Sequence, residues 1–113
     1  MVKDKNDLVF NEIIHPLSHE ASMAVLIGEH EGWLDYVMRL VSVKEGGFTP
    51  LHEHPWPHIN YMVEGEGILM IDGVEHPVKA GSHAYVPKNT LHQFKNAGKE
   101  PFKFICIVPK EGH

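Results

Sequence analysis

Turn signals recur along this chain about every ten residues, with short apolar stretches rich in Val, Ile, Phe and Tyr between them. That rhythm predicts an all-β fold, a sandwich or a barrel, and leaves little room for helices. The turns fall at Gly28 to Gly32, Glu45-Gly46-Gly47, Glu64 to Gly67, Asp72-Gly73, Lys79-Ala80-Gly81 and Asn96 to Lys99. Asp72-Gly73 predicts a tight hairpin, because both residues tolerate positive φ. The strands expected between the turns are Val9–Ile14, Met23–Ile27, Trp33–Lys44, Pro50–His54, His58–Glu64, Ile68–Ile71, Val74–Val78, His83–Pro87, His92–Lys95 and Phe102–Val108. His15–Ser22 is the one stretch that suits a helical turn. A chain of 113 residues makes one domain.

Charge and cysteine content narrow the function. Ten basic residues stand against 15 acidic ones, a formal net charge of −5, so the cationic footprint of a nucleic-acid binder is missing. No apolar run approaches the roughly 18 residues of a membrane span. The charged start, Met1 to Asp7, has no signal-peptide core. The single cysteine, Cys106, forms no intrachain disulfide and suits a reducing compartment, so a cytoplasmic protein is expected. Residues 1–30 are less patterned than the rest, as expected of a segment that covers a sheet edge or pairs with a second subunit. In Phe102–Val108, Lys103 marks the outer face, which turns Phe104 and Cys106 inward and Ile105 and Ile107 outward. Two outward isoleucines call for cover, either from a second subunit or from this chain's own segment. A homodimer is expected.

Ten histidines in so short a chain need sorting. His52-Glu53-His54 would, in a strand, send both imidazoles to one side and Glu53 to the other. Pro55 and Pro57 stiffen the link to His58. His92 opens a later strand. Converging imidazoles suit Zn, Cu, Fe, Ni or Mn. An exposed alternating strand is the other reading of His-x-His.

The spacing resembles that of the cupins. Their first motif runs Gly, five residues, His-x-His, three or four residues, Glu, six residues, Gly; here Gly46, His52, His54, His58 and Gly65 stand at those positions. Their second motif runs Gly, five residues, Pro-x-Gly, two residues, His, three residues, Asn; here it is Gly81, Pro87, Asn89, His92 and Asn96. The motifs span 46–65 and 81–96, and only 15 residues, Glu66 to Ala80, separate them. The resemblance implies a single cupin β-barrel of the jelly-roll type over residues 1–113. Asn89 replaces a glycine, a mild change because Asn tolerates left-handed φ. His58 replaces the usual glutamate. That substitution, with Val37-Met38-Arg39-Leu40 and Ile107 to Gly112, is similar to the small manganese-binding cupins with four histidines. The resemblance makes His52, His54, His58 and His92 the ligands of one divalent metal, manganese first, with Fe, Ni, Zn or Cu as alternatives. Four neutral ligands leave the ion's full double charge on the site.

Other residues are candidates for the pocket. Phe94 shares a face with His92, and Phe104 and Cys106 point inward; Asn60 shares a face with His58 and either presents its amide to a ligand or is a plain polar residue of the strand. Cys106 is either a thiol near the metal or a small buried hydrophobe. Arg39, amid apolar neighbours, either pairs with an acid or faces a polar pocket as a carboxylate anchor. Trp56 forms a cavity rim or a surface anchor. His15, His19, His30, His76, His83 and His113 receive no role; His30 and His76 fall at turns. The resemblance implies an oxygenase-type oxidoreductase acting on a small chelating molecule. A non-catalytic sensor or store of metal or ligand is the alternative, and an isomerase is a weaker variant without an evident base.

Overall fold

Val37, Val41 and Val43 alternate with less buried residues, and with Arg39 among them they form the inner face of the longest strand. The computed structural model describes residues 1–113. It contains nine strands: β1 (Asn11–Glu12), β2 (His19–Ile27), β3 (Tyr36–Phe48), β4 (His58–Glu64), β5 (Glu66–Ile71), β6 (Val74–Lys79), β7 (His83–Val86), β8 (His92–Asn96) and β9 (Phe102–Pro109). Single turns of 3-10 helix lie at Lys5–Asp7, Glu29–Glu31 and Lys110–Gly112. All pairings are antiparallel, in the order β6-β5-β8-β3-β9-β4-β7, with β2 also on β3 and β1 on β2. The sheet curls on itself, as expected of an all-β barrel. Phe102, Phe104, Cys106 and Val108 of β9 are buried and meet Val43, Met62, Leu69 and Phe94 in one core.

Local chemistry explains where the strands start and stop. Asp72 and Gly73 have φ of 49° and 79°, the left-handed pair that closes the β5–β6 hairpin. Asn89 also takes positive φ, 56°, so it does the work of the glycine it replaces. The expected strand Pro50–His54 does not form. Prolines at 50, 55 and 57 withhold three ladder donors, and only an isolated bridge between His52 and His92 remains. His15–Ser22 holds no helix: one turn, closed by the Ser18 N–H on the His15 carbonyl at 3.1 Å, leads straight into β2. Val9–Ile14 shrinks to the two residues of β1, and β3 begins at Tyr36 rather than Trp33. His76 lies within β6, not at a turn.

The outer face keeps the apolar band that Ile105 and Ile107 announced. By register Leu40, Ile105 and Tyr61 lie side by side, as do Met38, Ile107, Ile59 and Tyr85. The chain's own N-terminal segment shares a groove with part of it: Met1, Leu8 and Val9 line the same hollow as Val25, Leu40 and Ile105. Ile59, Tyr61 and Tyr85 remain exposed.

Gly65 and Gly73 both need positive φ, 76° and 79°, but only Gly65 is also hemmed in by backbone. A Cβ at Gly65 would run into the Pro101 carbonyl and meet Phe102 Cα at 3.1 Å, whereas Gly73 has nothing within 4 Å. Both alanine variants carry the left-handed penalty of about 1–2 kcal/mol. Gly65→Ala is therefore expected to cost roughly 1–3 kcal/mol more than Gly73→Ala in urea unfolding. Equal costs would show that the close approach of Pro101 is absent.

Candidate metal centre

The segment 49–58 is tied to the second motif by hydrogen bonds rather than by a strand. Thr49 and Phe94 are joined by two bonds, the Thr49 N–H to the Phe94 carbonyl at 2.9 Å and the Phe94 N–H to the Thr49 side-chain Oγ1 at 3.0 Å. His52 and His92 exchange two more, at 3.2 and 3.0 Å. The Asn89 N–H donates to the His54 carbonyl at 2.7 Å. These bonds hold both motifs in register and put the imidazoles of His52, His54 and His92 together.

One ring nitrogen from each of His52, His54 and His92 lies within 4.8 Å of the other two, close enough together to hold a metal ion. His58, at the start of β4, lies beside them: its ring centre is 4.5 Å from that of His54 and 4.8 Å from that of His92. His54 is stacked on His58 and also on Trp56, the latter at 4.5 Å and 10°. Trp56 is thus part of the cavity wall, one of the two positions expected for it.

Two backbone carbonyls set the ring orientation. His54 Nδ1 donates to the Trp56 carbonyl at 2.8 Å, and His92 Nδ1 donates to the Thr90 carbonyl at 2.8 Å. With the proton on Nδ1, each neutral ring keeps its lone pair on Nε2. Both Nε2 atoms are buried and have no hydrogen-bond partner. A buried acceptor left open costs stability unless something fills it. A metal ion does so, and the carbonyl bond on the far nitrogen is the usual support of a ligating histidine. The residues present therefore fit a metal.

Burial also keeps the rings neutral. His52 is held at about 4, below the ordinary 6.5, first by desolvation and then by the neighbouring His92 and His54. His58 is pushed to about 2, mainly by burial and then by His92. Desolvation lowers His54 and His92 as well, against their carbonyl bonds, which raise them.

The histidines line a cavity of about 320 Å³, near the small end of ligand sites. Of the pocket residues expected from sequence, Arg39, Phe94, Phe104 and Cys106 line it. Phe94 and Phe104 stack at 4.0 Å and form an aromatic wall. Asn60 does not line it: buried between strands, its amide donates to the Ile105 carbonyl of β9 at 3.4 Å. Glu53, expected to turn away, does line the cavity, because without strand geometry residue alternation fails there. The pattern along the chain did not reveal Ile13, Met23 and Gly112, which reach the cavity from the two ends of the chain. Gly112 packs against the Trp56 indole and leaves no room for a side chain. Cys106 Sγ lies 3.5 Å from His58 Nδ1, so the thiol touches the histidine cluster as well as the core.

The six other histidines stay outside the cluster. His15, His19, His30, His76, His83 and His113 are all exposed, although the His15 ring comes within 6.3 Å of His52. No helix of the molecule is long and apolar enough to cross a membrane.

Known proteins show the same architecture. The glucose-6-phosphate isomerase of Thermococcus kodakarensis is 31% identical over 119 residues, an overlap of 92% of this chain and 62% of that protein. The polyketide cyclase RemF from Streptomyces resistomycificus superposes with a TM-score of 0.88 at 26% identity, over 96% of this chain and 80% of that one. A predicted oxalate decarboxylase from Thermotoga maritima gives a TM-score of 0.86 at 23% identity, over 96% and 98% of the two chains, and shares the fold. The chain spans 52% to 62% of the length of the first curated relatives it matches. The family described as "Cupin domain" matches residues 39–108, which take in both histidine motifs and the strands that carry them. The chain belongs to the cupin family.

Proposed function

We propose that this cupin is a metal-dependent enzyme that oxidises a small chelating molecule with dioxygen, both oxygen atoms entering the product. The observation that carries the metal reading is the pair of buried, unpartnered Nε2 atoms on His54 and His92. His52, His54 and His92 form the donor cluster, and His58 is the fourth donor in this proposal. Manganese is the proposed metal, in keeping with the four-imidazole set and its resemblance to manganese-binding cupins. A divalent metal supplies Lewis acidity and one-electron redox chemistry at such a site. The chain's own residues do the rest. Phe94, Phe104 and Val41 give the cavity apolar walls that displace water from a bound molecule, and Trp56 holds the His54 ring in place.

One observation favours a second reading, metal-dependent isomerisation. Glu53, an acid, is among the residues lining the cavity and is a candidate for the base that the sequence alone did not show, and an isomerase is among the relatives. Turnover without oxygen separates the two.

The untagged protein is expected to hold about one metal per chain by elemental analysis, and His92→Ala to lose most of it. Metal-dependent oxygen uptake is expected with at least one of a panel of 1,3-dicarbonyl and phenolic chelators. Full metal occupancy in both His54→Ala and His92→Ala proteins would refute the site; anaerobic conversion of the same substrate would replace oxidation by isomerisation.

The lowered histidines also predict a pH dependence. Their folded values lie below the unfolded 6.5, so below that pH the unfolded chain binds protons that the folded site refuses. The stability is fully present above about 6.5 and is lost as pH falls toward the folded value of about 4 for His52. Chelator-treated protein should melt at a lower temperature at pH 5 than at pH 7. The same fall in a His52→Gln/His58→Gln protein would show that these rings are not its source.

A further inference from the structure

Arg39 is the one cation in the cavity, and it has no counter-ion. Its place follows from strand alternation. It lies on β3 between Val37 and Val41 on the inner face, and its register partner on β9 is Cys106. Nη2 donates to Cys106 Sγ at 3.3 Å, and Nη1 reaches the Gly112 carbonyl only at 3.5 Å. Nε is buried and donates to nothing. The two ion pairs of the molecule, Lys44 with Glu20 and Lys103 with Glu64, are elsewhere. Glu53, the only acid on the cavity wall, is exposed and does not pair with it. The sequence left two readings, an acid partner or an open pocket, and the structure leaves the pocket.

Arg39 is half-buried, with its Nε fully enclosed, and a guanidinium stays charged at any ordinary pH, so it cannot relieve that burial by losing its proton as the histidines do. Sulfur and a distant carbonyl are weak acceptors for it. A divalent metal on neutral imidazoles would add positive charge to the same cavity. No acid of the chain pairs with Arg39, so an anionic group on the ligand would be its first counter-ion. The free Nε–H and the neighbouring Nη–H form a planar fork that matches the two oxygens of a carboxylate. Next to it on the same two strands, Val41 and Phe104 are register partners, and with Phe94 stacked on Phe104 they offer the cavity an apolar wall.

We infer that the cavity selects a small monocarboxylate with an apolar body, its carboxylate on Arg39 and its other oxygen donors toward the histidines. This deepens the proposed function by naming the substrate class and rests on the cavity being the substrate site.

The test compares benzoylformate with its neutral amide, 2-oxo-2-phenylacetamide, by calorimetry. The two share the ring and the 2-oxo group and differ in the anion. Metal-loaded and chelator-treated protein are measured side by side, with metal content determined separately. Wild-type protein is expected to prefer the carboxylate by roughly 10- to 100-fold. Arg39→Met should erase that preference and leave metal occupancy unchanged, while Arg39→Lys keeps part of it. Because Met fills the same space without a charge, Arg39→Met should melt no lower than wild type, unlike a substitution at a purely structural ion pair. Equal affinity for the two compounds, an undiminished preference in Arg39→Met, or no benzoylformate binding by wild type overturns the inference. An Arg39-dependent preference in protein that never holds metal would uphold the anion site and refute the metal reading.

Discussion

The carbonyls of Trp56 and Thr90 take the Nδ1 protons of His54 and His92, and the rest of the site follows from that assignment. Each bond fixes a tautomer and a ring plane at once, so the two Nε2 lone pairs face the cavity before any ion arrives. The carbonyls are free to do this because the chain around them is not in a ladder. Prolines interrupt 50–57, and Thr90 sits in the turn that Asn89 makes possible through its left-handed φ. The donor set is therefore a product of irregular backbone held between regular strands, β3 and β4 on one side and β8 on the other. The cost of ordering that backbone is offset by the core beneath it, in which Phe102 and Phe104 of β9 are fully enclosed.

Electrostatically the cavity is one-sided. Burial drives the histidines to their neutral form, Arg39 is the one guanidinium on the wall, and Glu53, the one acid there, is exposed and pairs with neither ion pair's cation nor Arg39. In a typical cupin motif a glutamate stands where His58 stands here, and it would have neutralised part of that field. With a histidine there, that position brings no negative charge to the histidine cluster or to Arg39. The substitution at His58 and the unpaired state of Arg39 thus favour the same thing, a ligand that brings negative charge from outside the chain.

How much of this was legible along the chain depended on whether the signal was local. The barrel, the Asp72-Gly73 hairpin and the alternation of β9 were readable because strand period and turn chemistry act over a few neighbours. His52, His54 and His92 were readable because motif spacing survives even where the strand does not. The face of Glu53 was misjudged for that same reason: alternation was applied to a segment that prolines keep out of the sheet. Asn60 has two readings along the chain, and sharing a face with His58 does not decide between them; its amide goes to the neighbouring Ile105 carbonyl. Nothing in the pattern around Ile13, Met23 and Gly112 points them at the cavity. They reach the cavity from the chain's two ends only after the barrel has formed, and the state of Arg39 could not be decided until its surroundings were known.

The central claim is that His54 and His92 present open Nε2 atoms to a metal. Nitrogen-15 NMR of the histidine side chains in chelator-treated protein tests it most directly. Both rings are expected to be neutral with the proton on Nδ1, and titration with diamagnetic Zn²⁺ should shift both Nε2 resonances and leave the Nδ1 protons in place. Rings protonated at Nε2, or Nε2 resonances indifferent to the ion, would contradict the account.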